Sequence, residues 1–202
     1  MQDPDKQAQL LTTMKRQLTR ARNDGYRIVY IDETCFTRKT VADTEWSRPG
    51  ENIAVDVAML EEPTLALLCG ISKERGVEHH QVYEHSVNVD KFIEWLQGLR
   101  AANGEEKIAL FMDNLSAHTS ERAKEAMRER GFRYIYNVPY CPDYNPIEFV
   151  FSQVKRNFRA LRARKLTGQI QDSHGALVAQ AVQQLKKQDI RSCVDHVAKL
   201  LK

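Results

Sequence analysis

No apolar run in the chain approaches the roughly 20 residues that a membrane-spanning helix needs, and no secretory-signal pattern opens it. The four cysteines, Cys35, Cys69, Cys141 and Cys193, are far apart and form no C-x-x-C pair. Neither a zinc cluster nor a disulfide framework is therefore expected, and free buried thiols in a reducing compartment are. The histidines His79, His80 and His85 are close in sequence but lie in a strand-like stretch without a cysteine partner, which is poor zinc-ligand spacing. The phosphate-cradling pattern G-x-x-x-x-G-K-[ST] is missing, so the acidic strand Ile28-Val-Tyr-Ile-Asp32-Glu33 has no ATPase loop to serve. Ser116 and His118 lie close to Asp113 without a nucleophile-elbow pattern, so a hydrolase triad also lacks support. Internal repeats and low-complexity segments are absent.

What is present fits one globular domain, with an appendage at most. The 202 residues are long enough to bury a core, and 42% hydrophobic with 28% charged residues is a globular balance. The net charge of +3 is too small to name a partner, but its distribution is uneven. Between Glu148 and Asp172 there is no acidic residue, while Lys155, Arg156, Arg159, Arg162, Arg164 and Lys165 fall there.

Periodicity places the elements. Residues 4–23 have Leu10, Leu11, Met14, Leu18 and Ala21 on one helical face, and the turn pair Asp24-Gly25 stops that helix. Strands are expected at 27–32, 52–60, 65–71 and 79–86, with an irregular stretch at 34–50. Asn88 or Asp90 caps a helix carrying Phe92, Ile93, Leu96 and Leu99, and a strand follows at 107–112. Thr119 or Ser120 caps the next helix, which runs to Gly131 before a strand at 132–136. A long helix covers 146–164, and one or two more follow Thr167-Gly168. Three early strands followed by alternating helix and strand predict a mixed sheet with helices on its faces.

Three acids stand out. Asp32 ends the first strand, Asp113 ends Ile108-Ala-Leu-Phe-Met, and Glu148 opens the long helix. Two strand-end carboxylates and one helical carboxylate suit hard divalent cations, the equipment of phosphodiester chemistry. Each also has a structural explanation: a loop opening, a turn, and, for Glu148, a capping box with Asn145 as N-cap and Pro146 at the first helical position. Along the long helix, Ile147, Val150, Phe151, Val154, Phe158 and Leu161 form one apolar stripe. Glu148 lies about 110° from its middle, on a line with Ser152, Lys155, Arg159 and Arg162. A carboxylate heading a row of cations suits a metal site continued by a phosphate-gripping track; an ordinary solvated basic face is the alternative.

The motifs Tyr30-Ile-Asp32-Glu33, Trp46-Ser-Arg-Pro-Gly50-Glu51, Met112-Asp113-Asn114 with His118, and Pro142-Asp-Tyr-Asn145-Pro146-Ile-Glu148 resemble those of the mariner-like and bacterial insertion-sequence DDE transposases. The 34 residues between Asp113 and Glu148 match the branch that ends in glutamate. The resemblance covers about residues 27–165 and implies an α/β, RNase H-like catalytic domain: a mixed five-stranded sheet flanked by helices, here with extra C-terminal helices. It implies that Asp32, Asp113 and Glu148 hold two Mg²⁺ or Mn²⁺ ions for DNA strand cleavage and strand transfer. Asn114, His118 and Asn145 take supporting roles, and Lys155, Arg156, Arg159 and Arg162 contact DNA.

The organisation expected is a basic amphipathic helix at 1–25, for linking or dimerisation, a catalytic domain at 26–166 and a helical extension at 167–202. The implied partners are transposon ends and target DNA, with a homodimer as the active form and neither a membrane nor a small-molecule substrate. The implied location is the bacterial cytoplasm and nucleoid, or the nucleus in a eukaryote. Family members carry N-terminal helix-turn-helix modules, and only the helix 4–23 precedes the first acid here, so weak, salt-sensitive DNA binding is expected. Another RNase H-like nuclease, of resolvase or repair type, and a non-catalytic DNA-binding module derived from a transposase are the alternatives.

Overall fold

The computed structural model describes residues 4–37 and 63–201. The expected strand at 52–60 and the Trp46–Glu51 motif lie outside the described residues. Helix α1 (Pro4–Asn23) leads into β1 (Arg27–Phe36), and β2 (Leu65–Ser72) and β3 (Gly76–Glu84) form a hairpin. Helix α2 (Val89–Asn103) precedes β4 (Ile108–Met112), and the short α3 (Ser116–Thr119) and α4 (Glu121–Glu129) precede β5 (Arg133–Tyr136). The chain ends with α5 (Ile147–Leu166), α6 (His174–Gln183) and α7 (Lys187–Leu200).

The strands form one mixed sheet in the order β3-β2-β1-β4-β5. Pairing is antiparallel from β3 to β1 and parallel from β1 through β4 to β5. Side chains alternate across the strands and so divide the core in two. Ile28, Tyr30, Leu67, Cys69, Ala109 and Phe111 face α1, α5, α6 and α7. Val29, Ile31, Ala66, Leu68, Ile108 and Leu110 face α2 and α4. With both faces covered, all eight residues of β2 are buried. At Gly70 a Cβ would lie 2.9 Å from the Trp95 ring, so glycine lets α2 pack directly on the strand.

The six stripe residues of α5 are all buried. At ~1.5–3 kcal/mol each, their burial outweighs the ~1 kcal/mol of any capping interaction and fixes which face of α5 meets the sheet. Phe158 sits edge-on to Phe36 with ring centroids 4.8 Å apart. Met14, Leu18 and Ala21 of α1 enter the same cluster, as do Leu177 and Val178 of α6 and Val194 of α7. The apolar stripe of α1 thus covers the chain's own sheet, leaving Leu10 as its exposed apolar residue at 41%.

The expected caps at Asn88 and Ser120 are present, each accepting a hydrogen bond from the backbone three residues on. β1 runs four residues past its expected end because its pairing with β2 continues to Phe36↔Leu65, whereas its parallel pairing with β4 reaches only Tyr30↔Phe111.

Candidate active site

β1 and β4 are parallel neighbours, so residues just past their paired portions emerge side by side. Asp32 continues the Ile28/Tyr30 row, and Asp113, one residue after β4, continues the Ala109/Phe111 row. Both rows face the layer containing α5, whose first turn carries Glu148. The three acids line one pocket of about 450 Å³, together with Asn114, Asn137 and Asn145. Among the described residues no three His, Cys, Asp or Glu side chains converge on a single point. The acids therefore share a pocket and its field, without yet forming one coordination centre.

The field is strong. Asp32 is 8% exposed, and burial, then the neighbouring charge of Asp113, push its carboxyl up to about 8; Glu148 and Glu33 add to the rise. Burial also raises Glu148, with Lys155 pulling it down and Asp113 and Asp143 pushing it up. Glu33, next to Asp32 and half-buried, is raised chiefly by burial as well. The α5 N-terminus favours a carboxylate by ~0.3–1 kcal/mol, which is too little to offset burial and like-charge repulsion.

The residues expected to support the acids make hydrogen bonds around them. His118, fully buried, places Nδ1 2.8 Å from Asp113 Oδ1 and packs against Phe92 with ring centroids 4.6 Å apart. Tyr136 Oη donates to the His118 carbonyl at 3.0 Å, fixing the histidine from the next strand. Asn114 Nδ2 donates to the Asn137 carbonyl at 2.7 Å and ties the loop after β4 to the loop after β5. Asn137, which the sequence reading did not single out, holds that second loop: its Nδ2 donates to Cys141 O and its backbone N to Met112 O, both at 2.7 Å. Its place after a strand and before Val138-Pro139 is an asparagine-turn signal that could have marked it.

Asn145 does not take the N-cap place that the structural explanation of Glu148 gave it. The N-cap of α5 is Pro146, with no side-chain capping bond, so no capping box forms around Glu148. Asn145 Nδ2 instead donates to Ile31 O at 3.2 Å and Asp32 Oδ2 at 3.3 Å, joining the start of α5 to the first acid. Its Oδ1 is buried without a hydrogen-bond partner. Across the β1–β2 pair, opposite Asp32, lies Cys69. It is fully buried, and burial pushes its thiol up to about 12.

The cation row divides. Lys155 is half-buried and near enough to Glu148 to lower its carboxyl, while Arg159 is exposed. Arg156 is exposed but lines a separate groove of about 450 Å³ with Asp189 and His196 of α7. Arg162 is 6% exposed and leaves the solvent-facing row.

Residues 27–171 match the family model described as "DDE superfamily endonuclease". Among curated proteins there is no match. The fold is similar to the Mos1 transposase catalytic domain solved with raltegravir and Mg, at TM-score 0.64 and 14% identity over 100% of this chain and 94% of that one. It is similar, at TM-score 0.64 and 16% identity, to a chain of the Mos1 strand transfer complex, covering 100% of this chain and 61% of that one. A chain of the simian T-cell lymphotropic virus intasome is similar at TM-score 0.55 and 14% identity, over 77% and 46%. The family match covers most of the chain, with Asp32, Asp113 and Glu148 all inside it: this protein belongs to the DDE superfamily endonucleases.

Proposed function

We propose that the chain is the catalytic domain of a DNA transposase, with Asp32, Asp113 and Glu148 as the ligands of two Mg²⁺ or Mn²⁺ ions. One observation carries this reading: carboxylates from three elements line one pocket, and burial with mutual repulsion raises Asp32 to about 8. A pocket so arranged is short of positive charge. Its acidic and amide donors are oxygens, including the unpartnered Oδ1 of Asn145; of the nearby sulfurs, Cys141 lines the pocket and accepts a hydrogen bond from Gln7, and Cys69 is held as a thiol. That donor set fits hard divalent ions and disfavours soft ones.

Bound ions would supply the Lewis acidity for phosphodiester attack by water or a 3′-hydroxyl. The chain's own residues do the positioning. His118 and the Leu115 backbone N–H, 3.3 Å from Asp113 Oδ1, orient the second acid. Asn145 and the Glu33 backbone N–H, 2.8 Å from Asp32 Oδ1, orient the first. Lys155 and Arg159 lead away from Glu148 along α5 and suit the phosphates of a bound strand; Arg156 offers a further cation on the α7 side. The partners follow from the chemistry: transposon-end and target DNA, handled by two copies of the chain. Because the α1 stripe is packed on its own sheet, the contact between copies uses another surface.

The test is incubation of labelled DNA with Mg²⁺ or Mn²⁺, comparing the wild type with Asp113→Asn. Loss of several kcal/mol of transition-state stabilisation predicts at least ~10³-fold less product from the variant. Equal products from both would sink the metal-site reading. Strand-transfer products from pre-cut ends support the transposase assignment over another RNase H-like nuclease.

A further inference from the structure

Among the described residues, the most exposed large apolar side chain borders the acidic pocket: Tyr140, 89% exposed. Its φ is 60°, in the left-handed region that bulky residues avoid unless their surroundings hold them there. Here the surroundings do so. Asn137 Nδ2 bonds Cys141 O, Cys141 N bonds Val138 O at 3.2 Å, and Asn137 N anchors the turn to Met112 O. Pro139 and Pro142 flank the turn and stiffen it further. The outcome is a rigid turn that points an aromatic ring into solvent at the pocket's mouth.

A second exposed apolar residue, Leu115 at 39%, lines the same pocket from the loop after β4. The Asn114–Asn137 hydrogen bond couples the two loops. The rim chemistry selects the ligand. The phenol ring of Tyr140 carries no positive charge with which to hold a phosphate, so backbone contact alone does not account for an exposed aromatic here. A neutral π-face with an apolar companion receives a nucleobase. Such a base must first leave the duplex stack, as at a nick, a frayed end or a flipped nucleotide.

We propose that Tyr140 stacks on the nucleobase adjoining the scissile phosphodiester once that base is unstacked, with Leu115 completing the apolar rim. Tyr140 is then a positioning residue that touches substrate. The inference rests on the phosphodiester reading above and adds base engagement to it.

The test compares Mn²⁺-dependent cleavage by wild type, Tyr140→Phe, Tyr140→Ala and Tyr140→Gly. Each acts on oligonucleotides bearing either a normal base or an abasic site next to the scissile bond. Stacking of this kind predicts that Tyr140→Ala and Tyr140→Gly raise KM about tenfold on normal DNA, with Tyr140→Phe within about twofold. The abasic site raises the wild-type KM by a similar factor, and the two losses do not multiply. Tyr140→Gly separates stacking from misfolding, because glycine relieves the positive φ and the variant's Tm should not fall. Losses that multiply, or an unchanged KM for Tyr140→Gly, overturn the proposal. If wild type cleaves neither DNA, the endonuclease reading fails on its own. Stacking is then decided by 2-aminopurine at that position, with binding measured in Ca²⁺. Quenching by wild type and Tyr140→Phe but not by Tyr140→Ala supports the proposal, and equal fluorescence overturns it.

Discussion

β1 carries charge at two places, and the two are built on opposite terms. At its start, Arg27 Nε lies 2.7 Å from Glu78 Oε1, and the same guanidinium donates to Asn103 Oδ1 at 2.6 Å. Arg27 and Arg75 both pair with Glu106, and the hydrogen bond from Arg27 holds the Glu106 carboxyl below its ordinary range. Five residues on, Asp32 faces Asp113 and Glu148 with no arginine among the pocket's lining residues, and its carboxyl is raised to about 8. Arg27 and Asp32 lie on the same strand. At the start of the strand the chain supplies the counter-charge itself; at the acidic pocket, on the function proposed above, a ligand supplies it.

The largest expected effect comes from breaking the compensated end. Arg27→Met leaves Glu78, whose side chain is 1% exposed, buried without its partner. A cost of ~3–5 kcal/mol in urea unfolding is expected. At a temperature where the variant remains folded, Mn²⁺-dependent cleavage should be unchanged.

At the uncompensated end the sign reverses. The folded chain holds the Asp32 proton up to about 8, against an ordinary value of 3.8. Below about pH 4 both the folded and the unfolded chain are protonated and Asp32 contributes nothing. As pH rises from about 4 to about 8, the unfolded chain releases the proton first, so folding stability falls; above about 8 the loss is complete. In EDTA, Asp32→Asn should therefore stabilise the protein at pH 8.5 by on the order of a few kcal/mol, and by far less at pH 4. Denaturation curves at the two pH values check this, and equal shifts at both would show that Asp32 carries no such penalty. Adding Mn²⁺ should raise the wild-type Tm and not that of the variant.

The smallest effect sharpens the comparison at its link. Asn145→Ala removes the hydrogen bonds to Ile31 O and Asp32 Oδ2. A loss of ~1–3 kcal/mol in stability is expected. A second consequence is ~10- to 100-fold weaker Mn²⁺ binding by calorimetry. Stability loss with unchanged metal affinity would make Asn145 a fold residue only.

Much of this was readable before the structure, for reasons of period. The α5 stripe repeats at helical spacing over fifteen residues, and packing on a sheet needs nothing more to specify that face. Asn88 and Ser120 announce helices because a cap is a contact with the next turn. Reading failed where a local rule met a distant partner. Asn145 before Pro146 has the form of an N-cap, yet its amide is drawn to a strand 113 residues earlier in the chain. Arg162 follows the cation line on a helical wheel, which has no knowledge of the tertiary packing that buries it. β1 outruns its apolar run because β2, far along the chain, continues to pair with it.

Cys69 has a consequence of its own. It sits across from Asp32 in the antiparallel pair, sealed from solvent, with its thiol pushed up to about 12. The sulfur faces the layer of α1, α5, α6 and α7, so an alkylating reagent reaches it only when that layer opens. With Cys35, Cys141 and Cys193 replaced by serine or alanine, the labelling rate of Cys69 becomes a clock for opening of the helical layer over the sheet face that carries the first acid. Whatever ligand fills the acidic pocket should slow that clock, so its binding can be timed from a residue it never touches.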